Sequence, residues 1–210
     1  MAKRTLDITL TILLLLLMAY QVIGDFWHEW LGIAMTVLVI IHHVINLPWY
    51  VALFKGKYNV HRIMITMVDF LLLISIALSA LSGISMSAYA VPFLNGLIPM
   101  MTAMKLHLGV SWWSFVLMSI HIGLHLKPVF AGLRVPNRTK IIGRIVVVAL
   151  SIVGVVLLWL EGIPSYLTFR THFATHLIEG PAFLVILKNI VMMLPWMCQS
   201  VFNCTNETKR

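Results

Sequence analysis

Charged residues are scarce in this chain, and acidic residues are the scarcest. The 210 residues include 15 Lys and Arg but only 7 Asp and Glu, whereas 60% are hydrophobic. A soluble domain of this size could not bury so much apolar side-chain surface. Because one membrane-spanning helix uses roughly 20 apolar residues, the composition predicts an all-α, polytopic membrane helical bundle.

Cysteines and long polar segments are also few. Cys198 and Cys204 form neither a C-x-x-C nor a C-x-x-C-H pattern, which argues against a thiol redox pair and against c-type haem attachment. No stretch between the apolar runs is long enough to fold as a nucleotide-binding, flavin-binding or protease domain. The net charge of +8 comes mostly from short loops beside apolar runs, so we expect lipid rather than nucleic acid as the partner.

Apolar runs predict about six transmembrane helices in a single domain over residues 1–210. The runs cover residues 8–23, 30–47, 63–84, 106–126, 141–160 and 183–202. The sixth contains Lys188, Asn189 and Pro195, so instead of spanning it could lie along the membrane interface or pack inside the bundle. Residues 85–104 contain Pro and Gly and are expected to form an interfacial or re-entrant helix that does not cross.

Basic loop residues predict the orientation in the membrane. With the N-terminus in the cytoplasm, the outer loops of the first five helices hold only Lys105 and Arg170. The basic residues on the cytoplasmic side are then Lys3, Arg4, Lys55, Lys57, Arg62, Lys127, Arg134, Arg138, Lys140 and Arg144. This bias is the one that the positive-inside rule describes.

Two pairs of histidines share one spacing. His28 and His42 lie fourteen residues apart in the second predicted helix, and His107 and His121 lie fourteen apart in the fourth. Fourteen residues rise about 21 Å and return to within roughly 40° of the same helix face. Since one crossing separates these helices, they run parallel, and we expect His28 level with His107 and His42 level with His121.

Two stacked pairs of facing imidazoles match the ligands of two six-coordinate b-type haems. We therefore expect His28 with His107 to ligate the iron of an outer haem, and His42 with His121 that of a cytoplasmic-side haem. Two such haems would carry electrons across the bilayer. The alternative is a histidine-lined proton or ion channel, or a transporter, without haem, since a single membrane histidine more often serves packing or proton handling.

Further polar residues lie near the inner histidine pair. His43 and His125 could replace the inner ligands or contact a haem propionate or a quinone, and Arg62 is placed to meet the propionates. Asp69 lies about 10 Å inside the third helix, where an ionisable group is costly. We expect Asp69 either to accept a proton in quinone chemistry or to form a structural pair with Arg62 or His61.

Two smaller patterns complete the set of candidate residues. His172, His176 and Glu179 would share one face if their segment is helical and could then hold a divalent metal, although packing at the interface or solvation is the favoured explanation. Gly109 and Gly123 each follow a histidine of the fourth helix by two residues, so they face away from the haems. We expect these glycines to let another helix approach closely.

Short motifs in residues 6–127 resemble the flavinylation-associated transmembrane cytochrome b family of bacteria and archaea. They are W-H-E-W-L-G at 27–32, H-H-V-I-N-L-P-W at 42–49, S-G-I-S at 82–85 and H-I-G-L-H at 121–125. The resemblance implies a four-helix di-haem core over 6–127 and a location in the cytoplasmic membrane of a prokaryote. It also implies electron transfer between the quinone pool or a cytoplasmic donor and an extracytoplasmic flavoprotein. It does not cover the additional helices that the apolar runs predict over 128–210, and their role is open.

The chain departs from the family in two respects. Its 210 residues contain no flavin-binding domain, and residues 82–85 are not an S-G-A-T-like flavinylation site. We therefore expect the flavin on another chain, with this chain as the membrane subunit of an oxidoreductase. Any bond-making chemistry would be quinol oxidation or quinone reduction at the inner haem.

Overall fold

Every regular element in the described part of the chain is helical. The computed structural model describes residues 2–131, 136–171, 173 and 180–207. Its helices are α1 (Ala2–Leu17), α2 (Tyr20–Ile45), α3 (Leu47–Leu53), α4 (Val60–Ile84), α5 (Met100–Ala131), α6 (Asn137–Leu160), α7 (Ile163–Leu167) and α8 (Ala182–Glu207), with a 3₁₀ turn at Pro92–Leu94. The predicted all-α bundle is confirmed.

Long apolar helices make this a multi-pass membrane protein. Those long and apolar enough to cross a bilayer are Tyr20–Ile45, Val60–Ile84, Met100–His125 and Ile141–Leu160. Large apolar side chains face outwards on them, such as Ile145 and Trp159. α1 has 16 residues and the apolar part of α8, Ala182–Cys198, is also short, so the other two of the six expected spans stay predictions.

The first predicted helix, residues 8–23, is wrong at its end. α1 ends at Leu17 and a two-residue turn follows. Within α2, Gly24 has φ 69° and ψ 172°, a conformation that glycine adopts without steric cost. The chain reverses here although the side chains stay apolar, and Lys3 Nζ donates a hydrogen bond to Asn46 Oδ1 at 3.1 Å across the resulting hairpin.

Packing between helices builds a ring around the functional side chains. α1 packs on α2, α2 on α4, α4 on α5, α5 on α8, and α8 returns to α1, while α6 packs outside against α8. The buried core draws one residue or more from each of these helices, including Leu14, Met35, Leu72, Phe115 and Met192. The sixth apolar run therefore packs against the other helices of the bundle, one of its predicted placements.

Glycines permit the closest approaches in the second half of the chain. A Cβ atom at Gly109 would lie 2.2 Å from the Phe169 ring, and one at Gly154 of α6 would lie 2.4 Å from the Val191 carbonyl oxygen of α8. The predicted close approach at Gly109 is confirmed, but its neighbour is a side chain of the segment after α7 rather than a helix.

The segment between α4 and α5 is irregular rather than the expected interfacial or re-entrant helix, and its failure to cross the membrane stays a prediction. Only Pro92–Leu94 forms a 3₁₀ turn, and α5 begins at Met100. Side chains satisfy the backbone instead. Ser85 Oγ accepts from the Ile98 N–H at 2.7 Å, and Asn95 Nδ2 donates to the Ser87 carbonyl oxygen at 3.1 Å.

Candidate histidine sites

His28 of α2 and His107 of α5 meet in the bundle and form the His28/His107 site. Their ring centroids lie 6.0 Å apart, and the ring planes are 79° from parallel. The prediction that His28 and His107 lie at the same height along the bundle is therefore confirmed. α2 and α5 do not pack closely along their lengths, since each packs mainly on other helices. The space between them is thus bridged by the two rings.

The His107 ring is held against the backbone of α4. Its Nδ1 atom donates to the Ser79 carbonyl oxygen at 2.9 Å, and Ser82 Oγ lies 3.3 Å from the same nitrogen. A Cβ atom at Gly83 would lie 3.1 Å from His107 Cε1, so glycine is needed for this approach. Because a carbonyl oxygen only accepts, Nδ1 carries the proton and the lone pair of Nε2 is free for a metal.

The His28 ring offers a nitrogen without a partner. Its Nδ1 atom is buried and has no hydrogen bond to any other group in the described part of the chain. The Tyr20 ring packs edge-on against it at 5.2 Å, while the Tyr20 hydroxyl donates to Asp25. A buried polar atom left unpaired costs about 1–3 kcal/mol, and no group in the described part of the chain offsets that cost at this nitrogen.

Glu29 fixes the α4–α5 segment beside this site, a role that sequence reasoning missed. Its carboxylate accepts hydrogen bonds from Ser87 Oγ at 2.7 Å and from the N–H groups of Ala88, Tyr89 and Ala90 at 2.8–2.9 Å. The one sequence signal was an acidic residue next to His28 in an apolar helix. Nothing in the sequence pattern identified the backbone that binds it.

At the other end of the bundle lies the His42/His121 cluster, which comprises His42, His43, Asp69, His121 and His125. His121 Nδ1 donates to Asp69 Oδ1 at 2.7 Å, and the His125 ring centroid is 4.5 Å from that of His121. Asp69, His121 and His125 each offer a ligand atom, and these atoms lie within 4.8 Å of one another. The carboxylate holds the proton of His121 on Nδ1, which leaves Nε2 free.

His42 faces a second carboxylate, which comes from α1. Its Nδ1 atom is 3.0 Å from Asp7 Oδ1, but the direction of approach gives no hydrogen bond, so the interaction is electrostatic. The side-chain amide of Asn46 lies 3.5 Å from Nε2. The sequence pattern gave no reason to expect Asp7 here, because only the turn after Leu17 brings α1 alongside α2.

His43 is turned towards Tyr50 of α3. The Tyr50 hydroxyl lies 2.7 Å from His43 Nδ1. Burial, and next the charge of Asp69, raise the pKa of Tyr50, so the phenol keeps its proton. The charges of Asp69 and His121 also act on His43. Both His42 and His43 thus belong to the cluster, and the choice of His42 as the inner ligand stays a prediction.

Arg62 is engaged outside the cluster. Its guanidinium donates to the carbonyl oxygens of Ala52 and Lys57 and lies 4.1 Å over the Tyr58 ring. The predicted pair of Asp69 with Arg62 is therefore wrong, because these loop carbonyls bind the guanidinium and His121 binds the carboxylate. A propionate contact of Arg62 stays a prediction. His172, His176 and Glu179 lie outside the described residues.

The dimensions of the His28/His107 site fit a metal held between two imidazoles. With metal–nitrogen bonds of about 2 Å and a ring nitrogen about 1 Å from its ring centre, two such rings have centroids roughly 6 Å apart. The observed separation of the His28 and His107 ring centroids, 6.0 Å, agrees.

Comparisons with known protein families, curated proteins and solved structures found no match. A functional proposal therefore rests on the contacts of the two histidine sites.

Proposed function

We propose that the protein is a di-haem b-type cytochrome that transfers electrons across a membrane. The observation that supports this most directly is the His28/His107 pair, whose rings meet edge-on with centroids 6.0 Å apart and come from helices that pack mainly on other helices. The second haem is assigned to the His42/His121 cluster. Each haem would supply one-electron exchange between Fe(III) and Fe(II).

The chain's own groups prepare the imidazoles for this role. The Ser79 carbonyl oxygen and Asp69 each bind the Nδ1 proton of a histidine on α5 and so orient its Nε2 atom. His42 and His28 present rings from α2, while apolar side chains such as Met35 and Val39 form the wall between the two levels. Haem ligands that enter on rigid helices and lie in an apolar slot suit electron transfer.

The proposed setting is the cytoplasmic membrane of a prokaryote. The N-terminus lies in the cytoplasm, and the His28/His107 site lies in the half of the bundle nearer the outer face of the membrane. The positive-inside bias of the loops supports this orientation. A test is to introduce single cysteines at Lys57 and at Phe93, both exposed, and to label intact cells with a membrane-impermeant thiol reagent. We expect labelling at position 93 alone. Labelling at position 57 alone would reverse the orientation.

The test of the cofactor is an absorbance spectrum of the purified full chain, reduced with dithionite and compared with the oxidised form. We expect the bands of b-type haem, and two haems per polypeptide when haem is extracted and counted. A folded preparation from haem-sufficient cells without haem would overturn this proposal. Such a result would favour the haem-free proton path, for which the Asp69–His121–His125 contacts would be the relay.

Ligand variants separate ligation from structural support. His28→Gly and His121→Gly should each reduce the haem count from two to one, and added imidazole should restore the second haem by filling the vacated position. Trp159→Ala, on the exposed face of α6, is the control and should keep two haems. His42→Gly and His43→Gly decide between the neighbouring inner candidates, since only the true ligand should respond.

The redox partners are proposed from the resemblance together with the polar groups of the His42/His121 cluster. We propose a flavoprotein acceptor outside, and a quinol or a cytoplasmic donor at the cluster, where the Tyr50 hydroxyl and His43 could bind a quinone oxygen. A water-soluble quinol should then reduce the haems in proteoliposomes, and an FMN-containing flavoprotein outside should reoxidise them. Reduction by dithionite but by no quinol would exclude the quinone part.

A further inference from the structure

The four proposed haem ligands differ in what faces their second ring nitrogen. At the His28/His107 site, Nδ1 of His107 meets an uncharged carbonyl oxygen, Nδ1 of His28 has no hydrogen bond within the described chain, and the His28 ring hydrogen-bonds to the uncharged backbone of Leu17. At the His42/His121 cluster both Nδ1 atoms meet carboxylates, Asp69 at 2.7 Å and Asp7 at 3.0 Å. The two carboxylates come from different helices, α4 and α1.

An anionic group at Nδ1 changes the reduction potential of a metal bound to the other ring nitrogen. The hydrogen bond to Asp69 makes the His121 imidazole a stronger electron donor, and the negative charge of both carboxylates stabilises the more positive Fe(III) state over Fe(II). Second-shell hydrogen bonds and local charge are among the means by which a protein sets a haem potential. Asp69 should act more strongly than Asp7, because the Asp69 side chain is 17% exposed and that of Asp7 is 54% exposed.

Other charged groups near the two sites make no comparable contact with a ring nitrogen. Close to His28, Glu29 is bound by the backbone of the α4–α5 segment and Asp25 by Tyr20. At the other end, Lys3 donates to Asn46 and the Arg62 guanidinium to loop carbonyls. The charges of Asp25 and Glu29 act on His28 from a distance, whereas His42 and His121 each have a carboxylate oxygen within 3.0 Å of a ring nitrogen.

We propose that Asp69 and Asp7 make the His42/His121 cluster the low-potential haem site and the His28/His107 site the high-potential one. This inference rests on the proposed di-haem function. Each site exchanges one electron between Fe(III) and Fe(II), and no bond forms or breaks. In the proposed orientation the favourable direction of electron flow is from the cytoplasmic side to the outer side.

The test measures haem midpoint potentials by spectroelectrochemistry on the full chain in detergent or nanodiscs. His28→Gly protein reports the His42/His121 haem, and His121→Gly protein reports the His28/His107 haem. We expect the first potential to be lower by at least a tenfold difference in the Fe(III)/Fe(II) ratio at one ambient potential, which is about 59 mV. The unmodified protein should show the same two steps.

Charge variants then assign the cause. Asp69→Asn in the His28→Gly protein should raise the potential by a tenfold change in that ratio, and Asp7→Asn should raise it by less. Asp69→Glu, which keeps the charge, should retain the low potential and so separates loss of charge from loss of fold. Glu29→Gln is the matched control, because it neutralises a carboxylate that touches no ring, and it should leave the potential of the His42/His121 haem unchanged.

The outcomes are distinguishable. Two haems of equal potential, a lower potential at the His28/His107 site, or an unaltered potential in Asp69→Asn would overturn this inference while the di-haem proposal stands. If Asp69→Asn binds no haem, Asp7→Asn decides, and an unaltered potential there overturns the inference. Absence of haem from the unmodified folded protein would instead overturn the proposed function itself.

Discussion

The two histidine sites share a spacing in sequence but differ in the groups that hold their rings. At the His28/His107 site the support is a backbone carbonyl and a glycine on α4, whereas the His42/His121 cluster is supported by carboxylates from α1 and α4. Equal spacing on two parallel helices produces two levels of imidazoles. It does not make their electrostatic surroundings equal, because those surroundings come from other helices.

The largest effect is expected where the His107 ring touches α4. In Gly83→Val the new side chain starts 3.1 Å from His107 Cε1 and forces the ring away from the Ser79 carbonyl oxygen. Because supporting contacts of a metal ligand are worth about 10–100-fold in affinity, we expect the His28/His107 haem to be lost selectively. The haem count should fall from two to one, with the low-potential haem retained.

The control for this variant is Gly32→Val in α2. A Cβ atom at Gly32 would meet nothing within 4 Å in the described structure, so this variant should keep both haems. Equal haem loss in the two variants would show that valine disturbs the helices rather than the ring contact. Loss of the low-potential haem in Gly83→Val would contradict the assignment of α4 backbone support to His107.

A smaller effect is expected at Glu29, which supports the first site but does not touch a ring nitrogen. Glu29→Ala removes the acceptor of one hydroxyl and three backbone N–H groups. Since hydrogen bonds to a charged group are worth about 1.5–3 kcal/mol, backbone amide exchange at Ala88, Tyr89 and Ala90 should speed up by at least about tenfold. Hydrogen-exchange mass spectrometry in nanodiscs measures this.

Two comparisons make the Glu29 experiment specific. Glu29→Gln keeps one acceptor oxygen and should give an intermediate rate at residues 88–90. Exchange at the Phe54–Asn59 loop, which Arg62 and Tyr58 hold by separate contacts, should not change. Unaltered exchange at residues 88–90 in Glu29→Ala would mean that the segment is held without the carboxylate.

At the second site, Tyr50→Phe tests an uncharged side-chain contact with a histidine of the cluster. It removes the hydroxyl 2.7 Å from His43 Nδ1 and should lower the free energy of unfolding by about 1 kcal/mol. If a quinol binds here, quinol-driven haem reduction should also slow, with the haem count unchanged. Tyr58→Phe, whose hydroxyl donates to the Leu53 carbonyl oxygen, is the control and should not slow reduction.

The smallest effect is expected for Ser82→Ala. Ser82 Oγ lies 3.3 Å from His107 Nδ1, but it donates to the Leu78 carbonyl oxygen at 2.7 Å, and the Ser79 carbonyl oxygen is the closer acceptor for the ring. We expect the free energy of haem binding at the His28/His107 site, and the free energy of reduction of that haem, each to change by less than about 0.5 kcal/mol. A loss of haem in Ser82→Ala would show that the hydroxyl, and not the carbonyl, orients His107.

The facing of His28 and His107 could be predicted because it depends on local geometry. Helical rise and twist decide which residues share a face, and one intervening crossing makes α2 and α5 parallel. The span Ile141–Leu160 follows in the same way from the apolar run over those residues. Wherever a feature depends on one helix and its direction, the sequence pattern was sufficient.

Prediction failed where a feature depended on which helices become neighbours. Asp7 faces His42 only because the chain reverses after Leu17, and a run of apolar residues hides that turn. The 85–99 segment has a helix-like apolar composition, yet Glu29, far away in sequence, binds its backbone N–H groups and thereby stabilises an irregular form.

The sequence by itself determined the membrane class, the long apolar helices and the equal spacing of the histidines, because hydropathy and helical periodicity are local properties. The tertiary structure decided which group faces each ring nitrogen. Asp69 binds His121 rather than Arg62, and α4 rather than α2 holds the His107 ring. The physical reason is that a hydrogen bond between two helices depends on their rotation and distance, which only packing of the whole bundle sets.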